Sequence, residues 1–497
     1  MGNPSSTHRR FGVPVAVAAG ILPPALIIAG YLYDIHLPLI LTYSITLYGV
    51  FINLHLLLQM AYARKELHGT NSTSYKPKVS AVIPVYNEDL EMFSKCLESL
   101  RNQTGTDLEV IVANDGTLVP DIREVFENQK GVDWKYLNLP HRGKREAMYD
   151  GFKASNGDIL VFCDSDTIFS PSCISELVRP FANPRVGATT GNVRIYNNQS
   201  LLGKLTDFRY WIAFNLERAA QSHFNVVSCI SGPCGAYRRI AIEMVLDDWV
   251  NQKFFGRKCT YGDDRHLTNL VLAGGYETKY VAKAEALTML PSTKLKWARQ
   301  QLRWARSFYR EFLVNLGTFA NCSPWLAYDL TYLALFPIFV LFNIMLVLTR
   351  TAFMASQVLP IYLSIVLTSA LIRPIYGAVK TRDSSFLAFA LYGFLFVCVL
   401  LPLKIYSLFS LNSTAWGSRG DETSTSIPID YILPFCRKCG ARIKPPEAYY
   451  CYKCGTKAEP ALILAKTVHV TDLRIQQKQK LSQHRPNLGD GDAFEVS

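Results

Sequence analysis

Apolar and polar positions along the chain fall into two long apolar blocks with a stretch of short alternating runs between them. Residues 11–33 carry no charge over 23 positions, and Leu37–Met60 carry none over 24. At 1.5 Å per residue each run is long enough to cross a hydrocarbon core, so the two predict a membrane hairpin. A cleaved signal peptide is disfavoured, because the first run exceeds a usual apolar signal core and a second run follows at once. The other block covers Leu330–Thr349, Thr351–Ile372 and Ser384–Leu403, with Arg350 and Lys380, Thr381, Arg382 and Asp383 between the runs. It leaves room for three more crossings. Pro402 and Lys404 interrupt the last run, so Leu403–Leu411 is expected to lie at the interface or turn back.

Between the blocks, from Lys76 to Asn315, the period changes. Val79–Val85, Leu108–Ala113 and Asp158–Cys163 are short apolar or β-branched runs, and Leu90–Arg101 has helical spacing. Alternating strand and helix predicts an α/β domain with a mostly parallel, covered sheet. Such sheets bind ligands at the carboxyl ends of their strands. Polar residues stand at those ends: Asn87 and Glu88, then Asn114, Asp115 and Gly116, then Asp164, Ser165 and Asp166.

Composition sharpens this picture. Charged residues make up 19% of the 497 positions, below the roughly 25% of a soluble domain. The net charge is +12, and the apolar runs assign that excess to lipid-facing loops rather than to nucleic acid. His8, Arg9 and Arg10 before the first run, with Arg64 and Lys65 after the second, predict a cytoplasmic location for residues 64–320. The expected organisation is a membrane hairpin (1–63), a cytoplasmic domain (64–295), interfacial helices (296–322), a second membrane and interfacial region (323–420), a cysteine module (430–458) and a flexible tail (459–497). His55 and Asp329 are isolated polar residues at membrane depth, to which no function is assigned.

Several groups of residues carry candidate chemistry. Asp164 and Asp166 point one crevice's charge at one place, where a hard divalent ion such as Mg²⁺, shared with a substrate phosphate, would relieve the repulsion. Such pairs also cap turns. Asp263 and Asp264 precede an apolar helical run, Leu267–Leu272, and read either as a helix cap countered by Arg265 or as a general base. Gln300, Arg303 and Trp304 share one side of a helix. They suit an interfacial anchor, or else a cation for a departing diphosphate beside a flat face for a sugar. Lys144 and Arg145 form either a solvated basic turn or a phosphate-binding pair.

The ordered set of motifs resembles the processive family 2 glycosyltransferases, hyaluronan synthases first and chitin synthases next. The set comprises Val82-Ile-Pro-Val-Tyr-Asn-Glu88, Asn114-Asp-Gly116, Cys163-Asp-Ser-Asp-Thr167, Ser231-Gly-Pro-Cys-Gly-Ala-Tyr-Arg238, Gly262-Asp-Asp-Arg-His-Leu-Thr268 and Gln300-Gln-Leu-Arg-Trp304. The stretch from Lys144 to Tyr149 and Trp416-Gly-Ser-Arg419 also look like hyaluronan synthase features. The resemblance implies a GT-A catalytic domain that binds a UDP-sugar, inserted between membrane helices that carry a growing polysaccharide outward. It implies that Asp115 contacts the nucleotide, that Asp164 and Asp166 hold UDP and Mg²⁺ or Mn²⁺, and that Asp264 is the base with Asp263 and Arg265 beside it. Gln300, Arg303 and Trp304 would hold diphosphate and acceptor, and Cys229, Gly232 and Pro233 would form an acceptor wall. Hyaluronan synthases carry further hydrophobic segments after the motif that Trp416–Arg419 resembles, whereas this chain turns polar there, which leaves open a homodimeric channel or one built from the early spans.

Cys436, Cys439, Cys451 and Cys454 form two C-x₂-C knuckles, the spacing of a closed four-thiolate structural zinc site. The module resembles a zinc ribbon. Two disulfides would need an oxidising compartment, which a cytoplasmic tail lacks. Cys96, Cys163, Cys173, Cys234, Cys259, Cys322 and Cys398 have no partner spacing and are expected to be buried small hydrophobes.

Overall fold

The computed structural model describes residues 38–64, 75–117, 121–354 and 358–414. The chain divides into two units, residues 1–419 and 420–497, and the described residues all belong to the first. The first apolar run, the Trp416-Gly-Ser-Arg419 motif, the cysteine module and the polar tail lie outside the described residues.

Ten strands are described: β1 (Val79–Val85), β2 (Leu108–Asp115), β3 (Trp134–Leu139), β4 (Ile159–Phe162), β5 (Ile168–Phe169), β6 (Val186–Ile195), β7 (Gly235–Arg238), β8 (Lys253–Phe254), β9 (Arg257–Lys258) and β10 (Glu277–Thr288). Eight of them form one sheet in the order β3-β2-β1-β4-β7-β6-β10-β5, and β8–β9 is a separate hairpin. β3, β2, β1 and β4 run parallel, as does β6 with β10. β7 runs antiparallel to both β4 and β6, and β5 to β10, so half of the sheet is less regular than its sequence pattern predicts. Of the parallel half, β1, β2 and β4 are the strands that the hydrophobic runs foretell; β3 is not among them.

Every residue of β1 is buried. Its alternate side chains serve two cores, Ala81 and Ile83 packing with Phe93, Leu97 and Ile174, and Val82 with Phe152, Phe162 and Trp249. Pro84 fits because pairing with β4 ends at Val82↔Phe162, so its missing N–H falls where no partner waits. The helix Leu90–Arg101 forms where predicted, opened by Asp89, whose carboxylate accepts from Met92 N at 2.9 Å.

Helices Pro38–Arg64, Pro324–Met354 and Val358–Thr381 carry the apolar blocks. Arg350 does not end a helix as its charge suggests; one helix runs through it. Among the described residues two segments are long and apolar enough to cross a membrane, Pro324–Met345 and Ser384–Leu408. The second, expected to cross as far as Leu403, is exposed along much of its length, with Phe394 and Val397 uncovered, and touches the rest of the molecule at its two ends. Phe386 and Phe389 meet Phe208 and Trp211 of the helix Leu201–Ile212, and Leu400 meets Trp297 and Ile195. Pro402 does not break the run: it follows directly on the π-turn Phe396–Leu400, and the chain stays helical on both sides of it as far as Leu408. Beyond that helix the chain turns back: Arg306 Nε donates to Ser410 Oγ at 3.0 Å, and Tyr261 Oη to Ser413 O at 2.8 Å.

Of the seven cysteines without partner spacing, Cys96, Cys163, Cys173, Cys234 and Cys259 are buried as expected, whereas Cys322 is half-buried and Cys398 exposed.

Candidate active site

Strand order reverses direction between β1 and β4, and ligand crevices form at such switch points. Asp164 follows β4 directly. Its Oδ1 lies 2.5 Å from Lys144 Nζ, and the same ammonium lies 3.3 Å from Asp263 Oδ2. One cation therefore joins two acidic arms that are about a hundred residues apart in sequence. The cleft around it is lined by Lys144, Asp164, Gly232, Tyr237, Asp263 and Asp264, among others.

Lys144 is aimed by Asp115. The Asp115 carboxylate accepts from Arg142 N at 2.8 Å and Gly143 N at 3.0 Å, and it pairs with His141 Nδ1 at 3.0 Å. These bonds fix the turn from which the helix Lys144–Ala154 starts. Burial raises the Asp115 proton affinity despite the donors around it. His141 stacks on Tyr86, with ring centroids 4.1 Å apart. Gly116 has φ +79°, and a Cβ there would strike the His141 backbone. Arg145, paired with Lys144 in the sequence reading, points elsewhere. It is buried and donates to Trp249 O, Gln252 Oε1 and Tyr261 O, so it is a structural fork and not a phosphate ligand.

The second acidic arm opens the helix Asp263–Ala273 behind Gly262, which has φ +85° and sits hard against Ser307. Asp263 O accepts from Trp249 Nε1 at 2.8 Å. Asp264 Oδ1 accepts from Arg265 N at 2.7 Å, and Cys229 Sγ reaches its Oδ2 at 3.6 Å. The neighbouring carboxylates are driven apart electrically. Burial pushes Asp263 up, but Lys144, Arg145 and Arg303 outweigh it and hold the group below the ordinary carboxylate value. Burial and then the charge of Asp263 push Asp264 up, against Arg265 and Lys144, and the net result is a raised proton affinity. Burial and Asp264 together raise the Cys229 thiol to about 11, so it stays neutral.

Gln300, Arg303 and Trp304 lie on one helix, Lys294–Cys322, rather than on several. Gln300 and Arg303 are half-buried, and Trp304 is 40% exposed. Arg303 is close enough to act on Asp263. Trp304 faces Tyr210, with centroids 6.3 Å apart. Asp166 sits beside β10, where Thr288 Oγ1 donates to it at 3.4 Å. Pro233 is half-buried in the turn Gly232–Cys234, and Arg265 turns its guanidinium to the Phe308 ring at 5.3 Å.

Two groups carried no sequence signal. Tyr210, on the helix Leu201–Ile212, is close enough to feel both Asp166 and Arg303, yet belongs to no motif. Glu311 reads in sequence as one ion of an amphipathic helix. It is buried and accepts from Asn269 Nδ2 at 2.7 Å, from Asn315 Nδ2 at 2.9 Å and from Gln252 Nε2, with His266 Nδ1 3.2 Å away. That cluster locks the tryptophan-motif helix to the helix that bears Asp263 and Asp264.

The pattern described as Glycosyl transferase family 2 matches residues 80–246, which span β1 to the far side of β7. Hyaluronan synthase 3 of Xenopus laevis is 35% identical over 421 residues, 76% of this chain and 75% of the relative. The human hyaluronan synthase 3 is 34% identical over 78% of this chain and 79% of its own length. The chain belongs to the hyaluronan synthase family of family 2 glycosyltransferases. A solved mannosyltransferase from Pyrobaculum calidifontis, in complex with GDP-Man and Mn²⁺, aligns with a TM-score of 0.51 at 18% identity. It covers 76% of this chain and 97% of that one, a likeness of fold.

Glu311→Leu strands several buried donors at once. We expect a loss of about 1–3 kcal/mol for each donor left unsatisfied, read as a lower unfolding midpoint of the purified protein, whereas Glu311→Gln loses less.

Proposed function

We propose that the protein is a membrane-integrated, inverting, processive glycosyltransferase. It would polymerise UDP-GlcNAc, together with UDP-glucuronate, into a hyaluronan-like β-linked polysaccharide and pass it across the cell membrane from a cytoplasmic catalytic domain. The observation that carries this reading is the Lys144 bridge between Asp164 and Asp263, which puts a diphosphate-binding arm and a candidate base on one cleft. The hyaluronan synthase relatives supply the substrate class.

In this reading Asp264 takes the proton from an acceptor hydroxyl as that oxygen attacks the anomeric carbon of the donor. The carbon–oxygen bond to the diphosphate breaks on the opposite face, the configuration inverts, and UDP leaves with the electron pair. No covalent enzyme intermediate is needed. Lys144 and Arg303 lie where negative charge gathers on the departing diphosphate. Cys229 and Gly232 border the acceptor side, and Trp304 with Tyr210 offers aromatic faces for a sugar. Asp115 acts by holding the turn that aims Lys144, with Tyr86 and His141 stacked beside it.

The metal fits the donor set. Asp164 and Asp166 offer only carboxylate oxygens, which suit Mg²⁺ or Mn²⁺ with a diphosphate completing the shell. When bound, the ion would stabilise the leaving group's charge. The membrane reading has Pro38–Arg64, Pro324–Met354 and Val358–Thr381 spanning, and Ser384–Leu408 lying at the interface against the catalytic domain. Residues 410–414 then return to the catalytic side, which keeps the cysteine module in reducing surroundings.

Purified protein with Mn²⁺ should release UDP from UDP-GlcNAc, faster with UDP-glucuronate present, and stop on chelation. Incorporation of GlcNAc alone would instead indicate a chitin-like homopolymer, and no release from either donor would refute the reading. Asp264→Asn should cut the rate by about 10²–10⁴-fold, the usual worth of a general base.

The pH profile provides a second check. A base with raised proton affinity loses activity as pH falls through that raised value. Asp263→Asn removes the like charge that lifts Asp264, so the acid limb of kcat should move to lower pH. An acid limb that stays put would exclude Asp264 as the titrating base.

For the cysteine module, elemental analysis of the full chain should find about one zinc per chain, lost when Cys436 and Cys439 are replaced by Ser.

A further inference from the structure

A buried chain of polar contacts runs from the apolar helices to the acidic cleft. Asp329, near the start of the helix Pro324–Met354, is fully buried. Its Oδ2 accepts from Gln221 Nε2 at 2.7 Å and its Oδ1 from Gln59 Nε2 at 3.3 Å, while His55 Nε2 lies 3.6 Å away. His55 Nδ1 in turn meets Tyr328 Oη at 3.1 Å. His55 and Gln59 stand four residues apart on Pro38–Arg64, so one helix face grips one carboxylate. Aromatic rings seal the cluster: Tyr332 stacks on His55 at 3.8 Å, and Trp325 on Phe224 at 4.9 Å.

Gln221 is the link. Its amide nitrogen goes to Asp329, and its amide oxygen accepts from Ser228 N at 3.1 Å and from Ser228 Oγ at 3.3 Å. Ser228 begins a short strap. The next residue, Cys229, places its thiol 3.6 Å from Asp264 Oδ2, and Ile230 N donates to Thr268 Oγ1 at 2.9 Å, on the helix that bears Asp264. Arg218 Nε holds the strap's other side through Cys229 O at 3.2 Å. A planar amide has no internal freedom between its two ends, so the Asp329 carboxylate and the strap backbone keep one spacing.

We infer that Asp329 and Gln221 are positioning residues, which couple the packing of helices Pro38–Arg64 and Pro324–Met354 to the placement of Cys229 against Asp264. The inference rests on the proposed role of Asp264 for its catalytic consequence but not for its structural one. The cluster is packed shut, with His55, Gln59, Gln221 and Asp329 all under 5% exposed, so it acts as a joint and not as a lined passage. A carboxylate kept here forces its partners to follow it, because a buried acceptor left unmatched is costly. A shift between the two helices is therefore transmitted to the strap.

The test uses the full-length protein in lipid nanodiscs and measures N-ethylmaleimide addition at individual cysteines by peptide mass spectrometry. Gln221→Met keeps the side-chain length but removes both ends of the link, and Asp329→Leu removes the carboxylate. Each should speed labelling of Cys229 at least fivefold while Cys163, buried in the same domain, keeps its wild-type rate. Ser228→Ala, which loses only the hydroxyl contact, should give a smaller change in the same direction, and Asp329→Asn, which still accepts from Gln221, should recover most of the protection. The same variants should lower kcat for UDP release about tenfold with donor KM unchanged. Cys229 labelling at the wild-type rate in Gln221→Met would overturn the inference. So would Cys163 and Cys229 rising in step, which marks general loosening. If wild-type protein releases no UDP, the proposed function fails, and the labelling still decides the link.

Discussion

The site depends on one ammonium. Asp164 comes from a strand end and Asp263 and Asp264 from a helix start, and bringing three carboxylates into a half-closed cleft would be strongly unfavourable without a cation among them. Lys144 bridges two of the three, and the third is left with the raised proton affinity. The consequence is an asymmetry of charge inside a single pair of neighbours: Asp263 is stabilised as an ion and Asp264 is not. Much of the surrounding structure serves that asymmetry. Asp115 spends its acceptor capacity on the turn before Lys144, and Trp249 fixes the backbone of Asp263. Glu311 fastens the helix that brings Arg303 near.

How much of this could be read from the chain depends on the range of the forces involved. The parallel half of the sheet was legible because β1, β2 and β4 are buried on both faces and so appear as unbroken apolar runs. β10 was not, since Glu277–Thr288 alternates charged and apolar positions along a twelve-residue strand and resembles a surface segment. β7 has only four residues, Gly235–Arg238, and its antiparallel course depends on neighbours distant in sequence. The site residues behaved likewise. Asp164, Asp263 and Asp264 stand on one cleft, Asp115 takes the amides of the loop before Lys144, and Arg145 takes a set of buried carbonyls. Residue type and spacing identify a charged group; they do not identify the partner that takes up its hydrogen bonds.

The apolar blocks show the same limit from the other side. Length and composition make Ser384–Leu408 a membrane span, yet Phe386, Phe389 and Leu400 are buried against the sheet domain. A run of apolar residues reports that water must be excluded, without saying whether lipid or protein excludes it. Here Phe208, Trp211 and Trp297 cover the two ends of the segment while Phe394 and Val397 between them stay exposed, and hydrogen bonds at Ser410 and Ser413 bring the chain back beside Tyr261. Tyr261 immediately precedes Gly262 and the acidic pair, and its carbonyl accepts from both Arg145 and Arg310. The returning segment therefore ends on the residue that sets where the helix bearing Asp264 begins.

Asp264 is thus approached from two sides by elements that also belong to the apolar part of the molecule: the strap at Cys229, tied through Gln221 to Asp329, and Tyr261, tied to residues beyond Leu408. A soluble transferase could place its base with the sheet alone. In this chain Asp264 is set at the junction between the sheet domain and the apolar helices, and the physical cost is a buried carboxylate, Asp329, whose removal would leave Gln221 and Gln59 donors unmatched. Such a group persists when it fixes a spacing that apolar packing alone would leave adjustable. The Asp264 carboxylate is thus joined, through Cys229, Ser228 and Gln221, to the carboxylate around which the apolar helices Pro38–Arg64 and Pro324–Met354 pack.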